Sequence, residues 1–240
     1  MAVPPSDDRS RARKKPTFGY PPSYRGLMPL EQQIDFLVKL FKLDPAPTLE
    51  WMEEVLRPRL KLPETLENWI AVPRYQFISP IYAEAVAKVF SLLVHGRRFA
   101  PCRDKFFAPG RLRRSHRTIS MRRRLSDSQR GCSISVMPIQ LGRLHPGVSP
   151  EIMAKSFSEA EFGLTLFDVI CILLAHPQLC DHETNFGIYC PGDEGRDARQ
   201  GVDFNLTPQF LFAQGRGDLE FELPTSRFPY CGFATAFLVV

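Results

Sequence analysis

The stretch from Ser158 to Ala175, SEAEFGLTLFDVICILLA, constrains this chain more than any other. Phe162, Leu164, Leu166, Phe167, Val169, Ile170, Ile172, Leu173 and Leu174 leave no polar side on a helical projection. A helix apolar nearly all round has no face to give to water, so it belongs at the centre of a core. The pattern predicts one helix over residues 158–175, stopped by His176 and Pro177, with Cys171 as a small core residue. Its apolar part, from about Gly163 to Ala175, falls short of the roughly 20 residues that cross a bilayer, so no membrane partner is expected.

Around this centre the texture changes from helix to strand. Ile34, Leu37, Val38 and Phe41 make one apolar stripe and predict a helix over 29–42. Thr48 suits the cap of a second helix over Leu49–Leu56, and residues 79–94 read as a third. NWIAVP (68–73) and CSISVMPI (132–139) read as strands, and residues 149–157 as a short helix. After Pro177 come short β-branched and aromatic runs, NFGIYC, VDFN, QFLFAQ, DLEFEL and FATAFLVV, broken by Gly, Pro and Asp. The expected class is therefore α+β: a helical N-terminal half over 26–130, a central buried apolar helix, and an antiparallel β-rich part within 131–240. Both halves are expected to form one domain, because 240 residues with 44% hydrophobic content suffice for a shared core. Residues 1–25, polar and carrying Arg9, Arg11, Arg13, Lys14 and Lys15, read as a disordered basic tail. The start MAVPPSDDRSRARKK has no apolar leader, so a soluble, cytoplasmic protein with reduced cysteines is the expectation.

Net charge is only +5, but it is unevenly placed. Residues 97–130 hold eleven Arg and one Lys against Asp104 and Asp127, a balance of +10. Residues 151–240 hold five basic against thirteen acidic residues, a balance of −8. If 111–125 is helical, Leu112, His116 and Ile119 form an inward stripe. Arg113, Arg117 and Arg124 then share an outer face, with Arg114 at its edge and Arg111 and Arg122 on the other flank. Guanidinium groups keep their charge and make forked bonds to phosphate, so these six arginines point to a non-catalytic protein that binds RNA or DNA backbone or another polyanion. Two alternatives use the same residues: neutralisation by the chain's own acidic part, or docking of an acidic protein partner. A zinc-finger spacing and an RNA-binding signature are both absent.

A second cluster lies at AHPQLCDHETNFGIYCPGDEGRD, where His176, Cys180, His182 and Cys190 are candidate zinc ligands. Their spacing matches no recognised finger, and the ordinary reading is a histidine at a helix end beside buried thiols. An enzymatic site on His182 with Asp181 or Glu183 is the further alternative. GxSxG, HExxH, GxGxxG and the phosphate loop GxxxxGK[ST] do not occur. GRGD (215–218) reads as a hairpin turn rather than an adhesion motif, and Ser126 after RRRL as a chance kinase-like string.

The strings YPPSYRGLMPLEQQIDFL, ENWIAVP, FSEAEFGLTLFDVICILLAHP and CPGDE together resemble a group of bacterial proteins of similar length with no assigned activity. The resemblance spans most of residues 20–240. It implies that the chain is one unit, and it carries over no function.

Overall fold

A computed structural model describes residues 17–59, 62, 66–96, 99–100, 106–108, 110–180, 186–196, 203–213 and 216–238. The apolar run divides in two. Strand β4 takes Glu161–Gly163, and the central helix, α6, spans only Leu166–Ala175. The break is set by Thr165. Its hydroxyl accepts from the Asp168 N–H, and the Asp168 carboxylate accepts from the Thr165 N–H at 3.0 Å. This capping box satisfies two backbone donors at the helix start. A continuous apolar run fits a buried strand as well as a buried helix, which is why the pattern alone fused them. The central placement holds: every residue from Leu166 to Leu174 is buried.

Numbering the elements in chain order, α1 is Leu30–Phe41, α2 Ala46–Trp51, α3 Tyr82–Gly96, α4 His116–Ser128 and α5 Pro150–Ser156. With α6 these make six α-helices among the described residues, beside ten strands, a mixed α+β fold. The first sheet runs β1 (Asn68–Pro73), β3 (Ile134–Gln140), β10 (Thr235–Phe237), β4, antiparallel throughout. The second runs β8 (Arg216–Glu222), β7 (Thr207–Ala213), β5 (Phe186–Tyr189), β9 (Cys231–Phe233), with β5 and β9 parallel. A two-stranded ribbon joins β2 (Leu112–Arg114) to β6 (Asp193–Gly195). Strands from both sides of residue 130 interleave in the first sheet. That sheet carries α6 and α3 on one side. On the other, Trp69 and Ala71 of β1 and Ile134 and Val136 of β3 meet α1 and α2.

Local chemistry corrects several details. Thr48 lies inside α2, where its hydroxyl donates to the Ile134 carbonyl at 3.2 Å instead of capping a helix. Residues 17–25, expected to continue the basic tail, lie against the protein: Phe18, Tyr20 and Tyr24 pack on the main core, and the Tyr20 hydroxyl donates to Glu67 at 2.6 Å. The tail expectation for 1–16 lies outside the described residues. β7 and β8 pair from Thr207↔Glu222 to Ala213↔Arg216, the hairpin expected around GRGD. VDFN forms no strand within its described residues 203–205. No helix among the described residues is long and apolar enough to cross a membrane.

Candidate anion-binding cleft

The arginine stretch is a strand, a turn and a helix, not the single helix expected over 111–125. β2 ends at Arg114, Ser115 caps α4 by accepting from the Thr118 N–H at 3.3 Å, and α4 continues to Ser128. The inward residues of α4 are Thr118, Met121 and Leu125. Ile119 and His116 face solvent, because Leu112 sits in a strand and no longer fixes the helix phase. Thr118 pins α4 down by donating to the Gly163 carbonyl at 2.9 Å.

The six arginines therefore separate. The Arg113 Nε donates to Glu194 at 2.7 Å, in register on the neighbouring strand, and its guanidinium lies over Phe204. Arg117 clamps the backbone carbonyls of Ser158, Glu159 and Glu161. Arg122 pairs with buried Asp168 at 2.5 Å. Arg124 is exposed on α4, and its hydrogen-bond partner among the described residues is the Met121 sulfur, at 3.8 Å. Arg111 is half-buried ahead of β2, where its carbonyl accepts from the Arg196 N–H. Glu194 and Asp168 both come from the acidic C-terminal part, so internal neutralisation takes up Arg113 and Arg122.

Two of the six, Arg114 and Arg122, meet a third that periodicity did not select. Arg74, directly after β1, turns into the same cleft, whose walls include Tyr75, Tyr82, Ser126, Ser135, Thr165 and Asp168. The free space is about 50 Å³, room for a single phosphoryl-sized group or about four waters. Arg114 lies 4.8 Å from the centre of the Tyr75 ring and 5.3 Å from that of Tyr82, which holds the guanidinium by its face. Arg74 donates from one terminal nitrogen to the Gln129 carbonyl, while its buried Nε has no partner among the described residues. Burial lowers the Arg74 pKa from its ordinary value, and Arg122 adds to the lowering. The guanidinium still stays charged at any working pH.

Beneath the cleft lies Asp193, the first residue of β6. A close backbone crossing puts it there. Gly192 donates to the Leu164 carbonyl at 2.9 Å, and a Cβ on Gly163 would stand 2.3 Å from the Gly192 nitrogen. Asp193 accepts from the Leu166 N–H at 2.7 Å and from the Tyr82 hydroxyl at 2.7 and 2.9 Å. Burial pushes its carboxyl up to about 8, against the opposing pull of those hydrogen bonds. Burial, with Asp193 alongside, also raises the Tyr82 phenol. The N-terminus of α6 is thus already served by Asp168 and Asp193, and the unfilled positive charge belongs to the arginines. The cleft lining thus sets three guanidinium groups against one carboxylate side chain, Asp168.

The described members of the His/Cys cluster, His176, Cys180 and Cys190, do not gather in the same way. The His176 Nδ1–H donates to the Ile172 carbonyl at 3.0 Å, and its Nε2 accepts from the Met28 N–H at 2.9 Å. Both ring nitrogens are engaged inside the chain. Burial raises the Cys190 thiol, which opposes the thiolate a metal needs. Cys180 is buried at the end of a short turn, and His182 lies outside the described residues. No group of three or more His, Cys, Asp or Glu side chains gathers as a metal site among the described residues. The cleft lining contains neither histidine nor cysteine.

Compared with known proteins, the chain matches no family model, no curated protein and no solved structure. The functional reading rests on the geometry.

Proposed function

We propose that this is a non-catalytic binding protein that holds one phosphoryl group of its ligand between Arg74, Arg114 and Arg122. The observation that carries the reading is the convergence of three guanidinium groups on one cleft, with the buried Arg74 Nε left without a partner among the described residues. Donors converge from separate directions: Arg74 beyond β1, Arg114 at the end of β2, Arg122 and Ser126 on α4 and Ser135 on β3. A tetrahedral group with several acceptor oxygens suits that spread better than a planar carboxylate. Lining the cleft with tyrosines keeps the arginines fixed and partly dry, which strengthens their hold on an anion.

This narrows the polyanion expectation without discarding it. The exposed Arg123 and Arg130, on and just beyond α4, offer further contacts to a nucleic-acid backbone whose phosphate enters the cleft. Inorganic phosphate and short RNA and DNA strands separate the two versions. Titration calorimetry at low salt is expected to show saturable phosphate binding by the wild type and a loss of about tenfold or more in Arg114→Gln. If a nucleic-acid backbone is the ligand, oligonucleotide affinity falls with salt at a log–log slope of about −0.7 per contact for single strands and −0.9 for duplex DNA. Absence of binding to phosphate and to oligonucleotides by folded protein at low salt ends the proposal.

A further inference from the structure

Helix α4 separates the cleft from a second cavity of about 280 Å³. Arg122 and Ser126 face the first, while Arg124, Leu125 and Ser128 line the second. Apart from Gln129, its other walls are apolar, formed chiefly by Trp51, Val55, Trp69, Val136 and Pro138. Three features of this cavity lack an explanation in the packing alone. Met52–Leu56, which supplies Val55, is a π-helical turn inserted after α2, a widened geometry found often at binding sites. The buried indole N–H groups of Trp51 and Trp69 have no hydrogen-bond partner among the described residues. Among the described residues, Arg124, at the cavity's edge, makes a single weak hydrogen-bond contact, with the Met121 sulfur.

We propose that this cavity binds a medium-chain carboxylate, its hydrocarbon part lying against the indoles and its carboxylate paired with Arg124. An apolar wall with one cation matches an apolar molecule with one anionic end, since a lone guanidinium pairs a carboxylate through two parallel bonds. Size limits the ligand: a cavity of about 150 Å³ takes benzene, so this one takes a molecule of about ten non-hydrogen atoms, close to octanoate. The site stands independently of the phosphoryl cleft, because the two share no arginine.

The two tryptophans of the chain both line this cavity, so intrinsic emission reports on it directly. Octanoate titrated into the full-length protein is expected to shift that emission saturably. Arg124→Gln is expected to weaken octanoate by about tenfold while changing octan-1-ol by less than about twofold, since only the acid uses the guanidinium. Ser128→Phe, at the exposed rim, is expected to abolish both by filling the mouth, and Arg114→Gln to leave both unchanged. The proposal is overturned if wild type with a cooperative thermal melt shows no saturable response to octanoate. It is equally overturned if Arg124→Gln binds octanoate as tightly as wild type does.

Discussion

Two residues of the cleft play opposite parts, and substitution separates them. Arg122 is tied to Asp168, a fully buried carboxylate; removing the cation strands that charge, a loss of about 3–5 kcal/mol. Arg114 rests on two aromatic rings and a long 3.4 Å contact to the Tyr75 hydroxyl, so Arg114→Gln is expected to cost only about 1 kcal/mol. Urea unfolding of Arg122→Met and Arg114→Gln tests this, and equal losses would contradict it. Asp193 gives a pH signature. Unfolded, its carboxyl ionises near 4; folded, burial holds it at about 8. Between those values the native state keeps a proton that the unfolded chain has lost. Stability contributed by this group therefore falls as pH rises, by about 1.4 kcal/mol per unit, and levels off above about pH 8. Asp193→Asn keeps the shape and removes the titration, so it should gain on wild type steadily from pH 5 to 8. Parallel pH profiles for the two proteins would show that Asp193 is ionised in the fold. Arg114 and Arg122 were legible in the arginine stretch, whereas Asp193 stood beside Glu194 in CPGDE with nothing to mark its burial, and Arg74 lay outside that stretch.

At the scale of elements, α6 is held at both ends by side chains that neighbour it in sequence. Thr165 caps its start, and Thr165→Ala is expected to cost about 1 kcal/mol, read from the denaturant midpoint. His176 closes its end and ties it to Met28. Burial lowers the His176 imidazole to about 4, below its ordinary value. Protonation would place a proton on the nitrogen that accepts from Met28. The unfolded chain gains that proton near pH 6.5, so stability is full above that value and drains away as pH falls toward 4, by up to about 3 kcal/mol. His176→Gln should flatten the loss between pH 6.5 and 4; an unchanged acid limb would remove His176 from the account. Elements with one clean period or one clear stop were legible. The stripe Ile34–Leu37–Val38–Phe41 became α1, and NWIAVP became β1 residue for residue. The failures came where two elements share one pattern. Apolar residues dominate both β4 and α6, and arginines recur through both β2 and α4, so the caps Thr165 and Ser115 mark the joins.

Across the whole molecule, charge asymmetry and strand order express the same long-range organisation. The basic middle and the acidic end meet where β2 pairs with β6, Arg113 opposite Glu194 and Arg114 opposite Asp193. The first sheet is likewise built from both sides of residue 130: β1 pairs β3 over six residues, and β10, near the C-terminus, lies between β3 and β4. Sequence patterns report local periodicity and cannot report which distant strands pair, so a helical half followed by a β-rich half was the natural linear reading. One shared core, which the sequence already led us to expect, and two separate cores predict different outcomes for a chain cut between Arg130 and Gly131. If each half held its own core, the 131–240 fragment would fold alone. In the observed arrangement it lacks β1 beside β3, α3 against α6 and Arg122 beside the buried Asp168. Loss of a whole strand and a packed helix exceeds the roughly 5–15 kcal/mol that hold a domain together. Each fragment alone is therefore expected to show no cooperative melt and no near-ultraviolet circular dichroism. Mixing the two should restore both signals, because the interleaved strands carry the recognition surface. A sharp melt from the isolated 131–240 fragment would mean that the C-terminal strands make a sufficient core by themselves, and that the cleft between the halves is an interface laid over two independent folds.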